Sequence, residues 1–228
     1  MSKKTWIIFT VICVAVLGGL IFVSQKDKIN VDKIDQNKIQ SASASNGNIA
    51  DHVLDKKDGK VLLVEYGDFE CPYCGQAFPQ VKSVTSEYAS KITFVFRNYP
   101  LATMHPNARA AAAAAEAAGL QGKYWEMHDK LYETQNDWSS ASIDKRTGFF
   151  VNYAKQLGIA NIDKFKSDMG ANNVNKKITF DMALGNKAKV SGTPTFVLNG
   201  TTVSDKVASS IINGNGSELK KAIDEALK

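Results

Sequence analysis

Cys71-Pro72-Tyr73-Cys74 lies between two segments of opposite character, and this placement constrains the fold more than any other feature of the 228-residue chain. Before it, Val61-Leu62-Leu63-Val64 is an apolar run that reads as a buried strand. After it, Gly75 to Ser90 reads as a helix, with Phe78, Val81, Val84 and Tyr88 on one face. Pro79 falls inside that helix and predicts a kink, because its ring clashes with the carbonyl four residues earlier. Two cysteines separated by two residues at a strand-to-helix turn make a redox-active dithiol. The first thiol lies at the helix N-terminus, where unpaired N–H groups and the macrodipole favour the thiolate, the form that attacks disulfides. Half of a zinc site would need two more ligands, and the only histidines, His52, His105 and His128, have no paired spacing. The pair is therefore read as a site with no metal and no cofactor beyond its own Cys71–Cys74 disulfide.

The N-terminus carries a different signal. Residues Thr5 to Val23 form a 19-residue run without a charge. At about 1.5 Å per residue such a helix spans roughly 28 Å, against a hydrocarbon core of about 30 Å. Lys3 and Lys4 precede it, which predicts a cytoplasmic N-terminus at residues 1–4, a single transmembrane signal-anchor at 5–23 and an extracytoplasmic remainder. A cleaved signal peptide is the alternative. It needs a small-x-small site after the run, which Ile21-Phe22-Val23-Ser24-Gln25 does not supply, although Gly18-Gly19 inside the run leaves cleavage open. Cys13 lacks the small-residue context of a lipoprotein signal. It is the only cysteine outside the dithiol, so the exported part contains no structural disulfide.

Residues 24–49 are polar, alternate Lys with Asp and pass into Ser41-Ala42-Ser43-Ala44-Ser45-Asn46-Gly47, which reads as a flexible linker. The chain's net charge of +5 owes two charges to Lys3 and Lys4 and one to the linker. The small remainder gives no footprint for nucleic acid. The folded domain is expected over residues 50–228. Ile92-Thr93-Phe94-Val95-Phe96 reads as its second strand. A helical block follows, beginning near Pro106 and the eight alanines between Ala110 and Ala118. Lys123–Thr134, Lys145–Leu157, Ile162–Met169 and Asn173–Lys189 read as further helices. After Pro194 come a strand at Thr195–Leu198, a type I′ turn at Asn199-Gly200, a return at Thr201–Val203 and a helix from Ser217. The order is that of an α/β domain with helices inserted into its middle, over about residues 104–175.

Three motifs together carry a resemblance: Glu65-Tyr66-Gly67-Asp68-Phe69-Glu70-Cys71-Pro72-Tyr73-Cys74, Gly122-Lys123-Tyr124-Trp125-Glu126-Met127-His128-Asp129 and Gly192-Thr193-Pro194-Thr195-Phe196. Over roughly residues 50–228 the chain resembles the DsbA-like thiol:disulfide oxidoreductases, which have a thioredoxin-like fold with an inserted helical domain. Pro-Tyr between the cysteines also resembles glutaredoxins, but the long interval from Cys71 to Pro194 fits the helical insertion.

The resemblance implies an extracytoplasmic dithiol oxidase, a membrane protein that introduces disulfides into exported proteins with free thiols. Cys71 is the nucleophile and Cys74 the resolving thiol, with Pro72 and Tyr73 tuning the pair. Pro194 is expected to be cis and to face the dithiol, presenting the Thr193 backbone to an extended substrate segment; an ordinary strand-start proline is the alternative. Glu65 corresponds to a buried acid that assists proton transfer to the second cysteine, unless it is merely a solvent-facing strand residue. Asp68 and Glu70 are expected to be exposed and to oppose a Cys71 thiolate slightly. His105, Tyr124, Trp125 and His128 are expected to define helix starts and core packing. The partner implied is a quinone-linked reoxidase resembling DsbB or the vitamin K epoxide reductase family, and the chain is expected to be a monomer. A reductase or isomerase kept reduced by a membrane electron carrier, or a redox-inert binding module, are the other readings.

Overall fold

The computed structural model describes residues 6–16, 29–55 and 58–228. The chain divides into two units, Met1–Asn30 and Val31–Lys228. In the first, residues 6–16 are helical, with the Thr10 hydroxyl donating to the Trp6 carbonyl at 2.9 Å. No helix among the described residues is long and apolar enough to cross a membrane. The rest of the 5–23 run lies outside the described residues.

The second unit is built on a five-stranded sheet. Its strands are β1 (His52–Leu54), β2 (Val61–Gly67), β3 (Ile92–Asn98), β4 (Thr195–Leu198) and β5 (Thr201–Thr202), in the order β1-β3-β2-β4-β5. β2 is central, parallel to β3 and antiparallel to β4. The parallel pair needs a crossover, which α1 (Pro72–Glu87) supplies. α1 runs through Pro79 and buries Phe78, Val81 and Val84, the face expected from their spacing. Asn199 and Gly200 both have positive φ, as a type I′ turn requires between β4 and β5.

Six helices separate β3 from β4: α2 (Ala108–Gly119), α3 (Tyr124–Glu133), α4 (Gln135–Trp138), α5 (Ile143–Gln156), α6 (Ile162–Met169) and α7 (Asn172–Lys187). Two more close the chain, α8 (Asp205–Ile212) and α9 (Ser217–Ala226), and α8 packs on α1. α2 is alanine-rich because it is buried nearly all round: Ala111 to Ala115, Ala117 and Ala118 are all in the core. Small side chains let α3 and α6 approach it closely.

The strands alternate side chains between two faces. Leu63 and Glu65 on β2, with Phe94 and Phe96 on β3, face α1 and α3. Tyr66 and Arg97 face the other way, toward α7 and the N-terminal segment. There Arg97, fully buried, donates to the Asp51 carboxylate at 2.8 Å, to the carbonyls of Gln36 and Lys38, and to the Tyr66 hydroxyl. The Lys177 ammonium, also fully buried, bridges Asp51 at 3.0 Å and Asp181 at 2.6 Å. Burial works against the Asp51 charge, yet Lys177 and Arg97 hold its pKa down at about 2.

This network corrects the flexible-linker expectation for residues 31–49. They lie in the compact unit, with Val31, Asn46 and Ile49 buried. Lys187 donates to the carbonyls of Val31, Asp32 and Ile34, and Ser43 and Asn46 form a capping box around the 3-10 turn Ala44–Asn46. The segment has too few apolar residues to pack by itself. It is held instead through its backbone carbonyls, by cations 59 and more positions away. Residues 24–28 lie outside the described residues.

Lys177→Met leaves Asp51 and Asp181 buried without their shared cation. Stability at pH 7 is expected to fall by about 3–5 kcal/mol. The loss should shrink as the pH is lowered and the two carboxyls protonate, which denaturant titrations at pH 7 and pH 5 would measure.

Candidate functional site

The site forms where β2 ends. The chain turns through Asp68-Phe69-Glu70, the Cys71 N–H donates to the Asp68 carbonyl at 3.1 Å, and α1 begins at Pro72 with Cys71 as its N-cap residue. Proline suits the first helical position, since its missing N–H would have no partner there. Cys74 follows one turn on, fully buried, whereas Tyr73 projects into solvent with 59% of its surface exposed. Both thiols are free, so the structure describes the dithiol form.

The two sulfurs differ sharply. The Cys74 thiol donates to Cys71 and is the main reason the Cys71 pKa drops to about 5. Burial opposes that drop, while the N–H groups of Cys74 and Tyr73 favour it. Cys74 moves the opposite way: burial pushes its pKa well up, and the negative charges of Cys71 and Glu65 add to this.

Thr193 and Pro194 meet the dithiol from the other side of β2. The Thr193–Pro194 peptide is cis, and the Thr193 carbonyl lies 3.4 Å from Cys71 Sγ. An open cleft of about 430 Å³ adjoins them, lined by Tyr73, Ser191 to Thr195, Ser209, Ile212 and Asn213. Glu65 is buried at 3% exposure on the β2 face toward α1 and α3, and burial alone raises its pKa to about 8. The structure thus brings Cys71, Cys74, Pro72, Tyr73, Thr193, Pro194 and Glu65 into one region.

A family model described as thioredoxin matches residues 47–225. The chain belongs to the thioredoxin family. A solved thioredoxin-like oxidoreductase from Silicibacter pomeroyi DSS-3 is 30% identical, with 77% of this chain and 91% of that one covered and a TM-score of 0.61. The probable disulfide bond formation protein D of Bacillus anthracis is 28% identical over 229 residues, covering 97% of this chain and 94% of the relative. The Na(+)/H(+) antiporter NhaA 1 of Salinispora arenicola is 41% identical over 150 residues, which are 66% of this chain but 22% of the antiporter. The chain therefore spans about a fifth of the length of the antiporters it matches.

Two expectations for the turn before Cys71 need correction. Asp68 and Glu70 are buried, at 1% and 8% exposure. Asp68 accepts the N–H groups of Glu70 and Leu101, each at 2.8 Å, and pairs with His105 Nδ1 at 2.8 Å. Glu70 accepts the Asn107 N–H at 2.6 Å, at the start of α2. Both carboxylates are held in the turn by donors of the 101–107 segment, which a charge pattern on β2 and α1 does not reveal. His105 consequently does more than mark a helix start.

Gln135 is a site neighbour that the sequence hides. Its side-chain amide donates to the carbonyls of Phe69 and Cys71 at 2.8 and 2.9 Å and fixes the turn from α4. A Cβ on Gly75 would collide with the Gln135 amide oxygen. The glycine directly after Cys74 was the one available hint that another element approaches there. Among the described residues, no group of three or more His, Cys, Asp or Glu side chains could hold a metal ion.

Iodoacetamide alkylation of the reduced protein should follow one ionisation near pH 5, assigned to Cys71, with Cys74 unmodified in the folded state. The linked stability has a definite sign. The folded pKa of Cys71 is depressed, so the thiolate's contribution is complete above the unfolded thiol's pKa. It disappears as the pH falls through about 5. Peptide mapping of the alkylated thiols against pH checks the assignment.

Proposed function

We propose that this chain is a DsbA-like thiol:disulfide oxidoreductase, a dithiol oxidase that introduces disulfides into exported proteins through Cys71 and Cys74. The observation that carries the reading is the split between the thiols, Cys71 down at about 5 and Cys74 pushed up. A stabilised Cys71 thiolate is a good leaving group and favours the reduced enzyme, which makes the disulfide form an oxidant.

In the reaction a substrate thiolate attacks Cys71 Sγ of the disulfide. The Cys71–Cys74 bond breaks, its electron pair passes to Cys74 Sγ, and that sulfur takes a proton from Glu65. A second substrate thiolate then attacks the substrate sulfur of the mixed disulfide. The substrate disulfide forms and Cys71 leaves as thiolate, so the two electrons of the new bond reside on the enzyme dithiol. Glu65 suits its part because a carboxyl with a pKa of about 8 is protonated at neutral pH. The Thr193 backbone beside Cys71, and the open cleft along Ser191 to Thr195, suit an extended substrate segment added as a strand. Tyr73, exposed at the rim, supplies an apolar contact.

The uncharged run 5–23 behind Lys3 and Lys4 supports a single-pass anchor in the cell membrane, with the N-terminus cytoplasmic and the oxidoreductase domain outside. Turnover then requires a membrane reoxidase, DsbB-like or vitamin K epoxide reductase-like and quinone-linked, that takes electrons from the dithiol. The enzyme works as a monomer. Impermeant thiol reagent and protease added to spheroplasts should reach Cys71 and digest the domain; protection from both contradicts the topology.

Cys74→Ser should accumulate mixed disulfides with exported proteins, and Cys71→Ser should not. The reduction potential should lie nearer about −120 mV than the roughly −270 mV of a thioredoxin, with the reduced protein more stable to denaturant than the oxidised one. A thioredoxin-like potential with a more stable oxidised form would make the chain a reductase.

A further inference from the structure

The turn that carries Cys71 is gripped from outside the sheet. Gln135, the first residue of α4, donates from Nε2 to the Phe69 carbonyl at 2.8 Å and to the Cys71 carbonyl at 2.9 Å. Only the nitrogen end of an amide can meet two carbonyl oxygens, so its orientation is fixed and Oε1 is left facing Gly75. α4 itself is held firmly. The Trp138 side chain is fully buried, and its indole N–H donates to the Leu131 carbonyl at 2.9 Å. Asn107 donates from its amide to the carbonyls of Ser139 and Ala141 at 3.0 and 2.8 Å, and from its backbone N–H to Glu70 at 2.6 Å. Phe69, Glu70 and Cys71 are thus each tied to the helical insertion.

The Cys71 carbonyl is the contact closest to the chemistry. Only the carbonyl carbon, Cα and Cβ separate its oxygen from Sγ, and that oxygen is the negative end of a peptide dipole. It also accepts the Gly75 N–H at 3.1 Å. With Gln135 as second donor, both lone pairs of the oxygen are engaged. A thiolate is repelled less by a carbonyl engaged in this way, and it is attracted by the positive end of the amide. A disulfide carries no charge and gains nothing from either. The contact therefore favours the dithiol form over the disulfide form.

We propose that Gln135 is a positioning residue of the redox site, through which the inserted helices raise the oxidising power of the Cys71–Cys74 couple. The inference rests on the redox reading of those two cysteines. The side-chain hydrogen bonds of Gln135 go to backbone oxygens and not to a sulfur, so it acts through the Cys71 carbonyl. Gly75 offers a second handle on the same contact. It lies inside α1, where alanine suits a helix better than glycine, yet a Cβ there would collide with the Gln135 amide and displace it.

The test is equilibration of the full chain, in detergent, with glutathione buffers at pH 7. The dithiol passes two electrons and two protons to glutathione disulfide, which leaves as two thiols. Cys71 ionisation is followed in parallel by thiolate absorbance. Gln135→Met keeps the side chain's length and removes its donors. Gln135→Glu keeps its shape and puts acceptors where the donors were. Gly75→Ala leaves Gln135 in the chain but moves its amide. Gln135→Met and Gly75→Ala should each weaken the oxidant about fivefold in the equilibrium constant, or roughly 20 mV at about 30 mV per tenfold. Gln135→Glu should weaken it further. The Cys71 acid constant should fall by the same factor as the equilibrium constant, because at pH 7 the reduced protein holds Cys71 as thiolate. A role confined to holding the fold would destabilise both redox forms alike and leave the potential where it is. An unchanged potential in Gln135→Met or Gly75→Ala, a Gln135→Glu protein as oxidising as wild type, or a potential that moves while the Cys71 ionisation does not, overturns the proposal. If Gln135→Met fails to fold, Gly75→Ala decides alone. A wild-type protein that does not exchange with glutathione sinks the redox reading itself, whereas normal exchange with unmoved variants sinks only the role of Gln135.

Discussion

β2 pairs with β3 on one side and β4 on the other, and the second pairing sets the geometry of the site. Tyr66 lies opposite Thr195 and Glu65 opposite Phe196. From that register the chain leaving β2 and the chain arriving at β4 meet, and Cys71 and Thr193 come to 3.4 Å across 122 positions of sequence. The regular elements between β3 and Thr193 are all helices, so the interval can carry an insertion without disturbing the contact, provided the two strands stay in register. The insertion is still not a passenger. α4 reaches back to the turn through Gln135, and Gly75 leaves the room it needs. A sheet contact places the thiol against Thr193, and an inserted helix secures the turn that carries it.

The two faces of the sheet treat buried polar groups in opposite ways. On the α7 face, Arg97, Lys177, Asp51 and Asp181 are matched cation to anion, and the network ties down the N-terminal segment, β3 and α7. Such a network stabilises only while complete, because removing one member strands its partners in low dielectric. On the α1–α3 face, no cation among the described residues lowers the Glu65 pKa, and His128 and Tyr132 keep polar atoms without a partner among those residues. The first face spends its polarity on rigidity. The second keeps a carboxyl whose proton can be given up and regained near neutral pH, which a salt bridge to Glu65 would abolish.

The parts of the fold that rest on local pattern were legible in the sequence. Helical spacing located α1, α3, α5, α6 and α7 to within a residue or a few, and Asn199-Gly200 marked its hairpin. The dithiol and the Gly-Thr-Pro motif were legible because their chemistry requires particular residues at a fixed spacing. What was missed depends on distant partners. β1 is three residues long and exists because it pairs with β3. α8 follows a short polar stretch and is fixed by packing on α1. Residues 31–49 looked solvated because their isolated apolar residues cannot form a core, yet Arg97 and Lys187 hold them through carbonyls that every residue possesses. No residue type signals that kind of contact. Gln135 has the same character, an amide whose partners are backbone oxygens.

The corrected burial of Asp68 and Glu70 also changes the electrostatics of the thiolate. As exposed charges they would oppose Cys71 weakly, through screened solvent. As buried charges they would oppose it more, were they not already occupied. Asp68 is surrounded by two N–H groups and His105, whose pKa burial lowers but the Asp68 carboxylate raises overall. Glu70 is turned to the N–H of Asn107 at the start of α2. Burial raises its pKa, and the backbone N–H groups of Asn107 and Ala108 pull the other way. Two neighbouring anions thus face the N-termini of two different helices, Glu70 that of α2 and Cys71 that of α1, each with donors of its own. The turn between β2 and α1 can therefore carry two carboxylates and still leave the Cys71 pKa near 5.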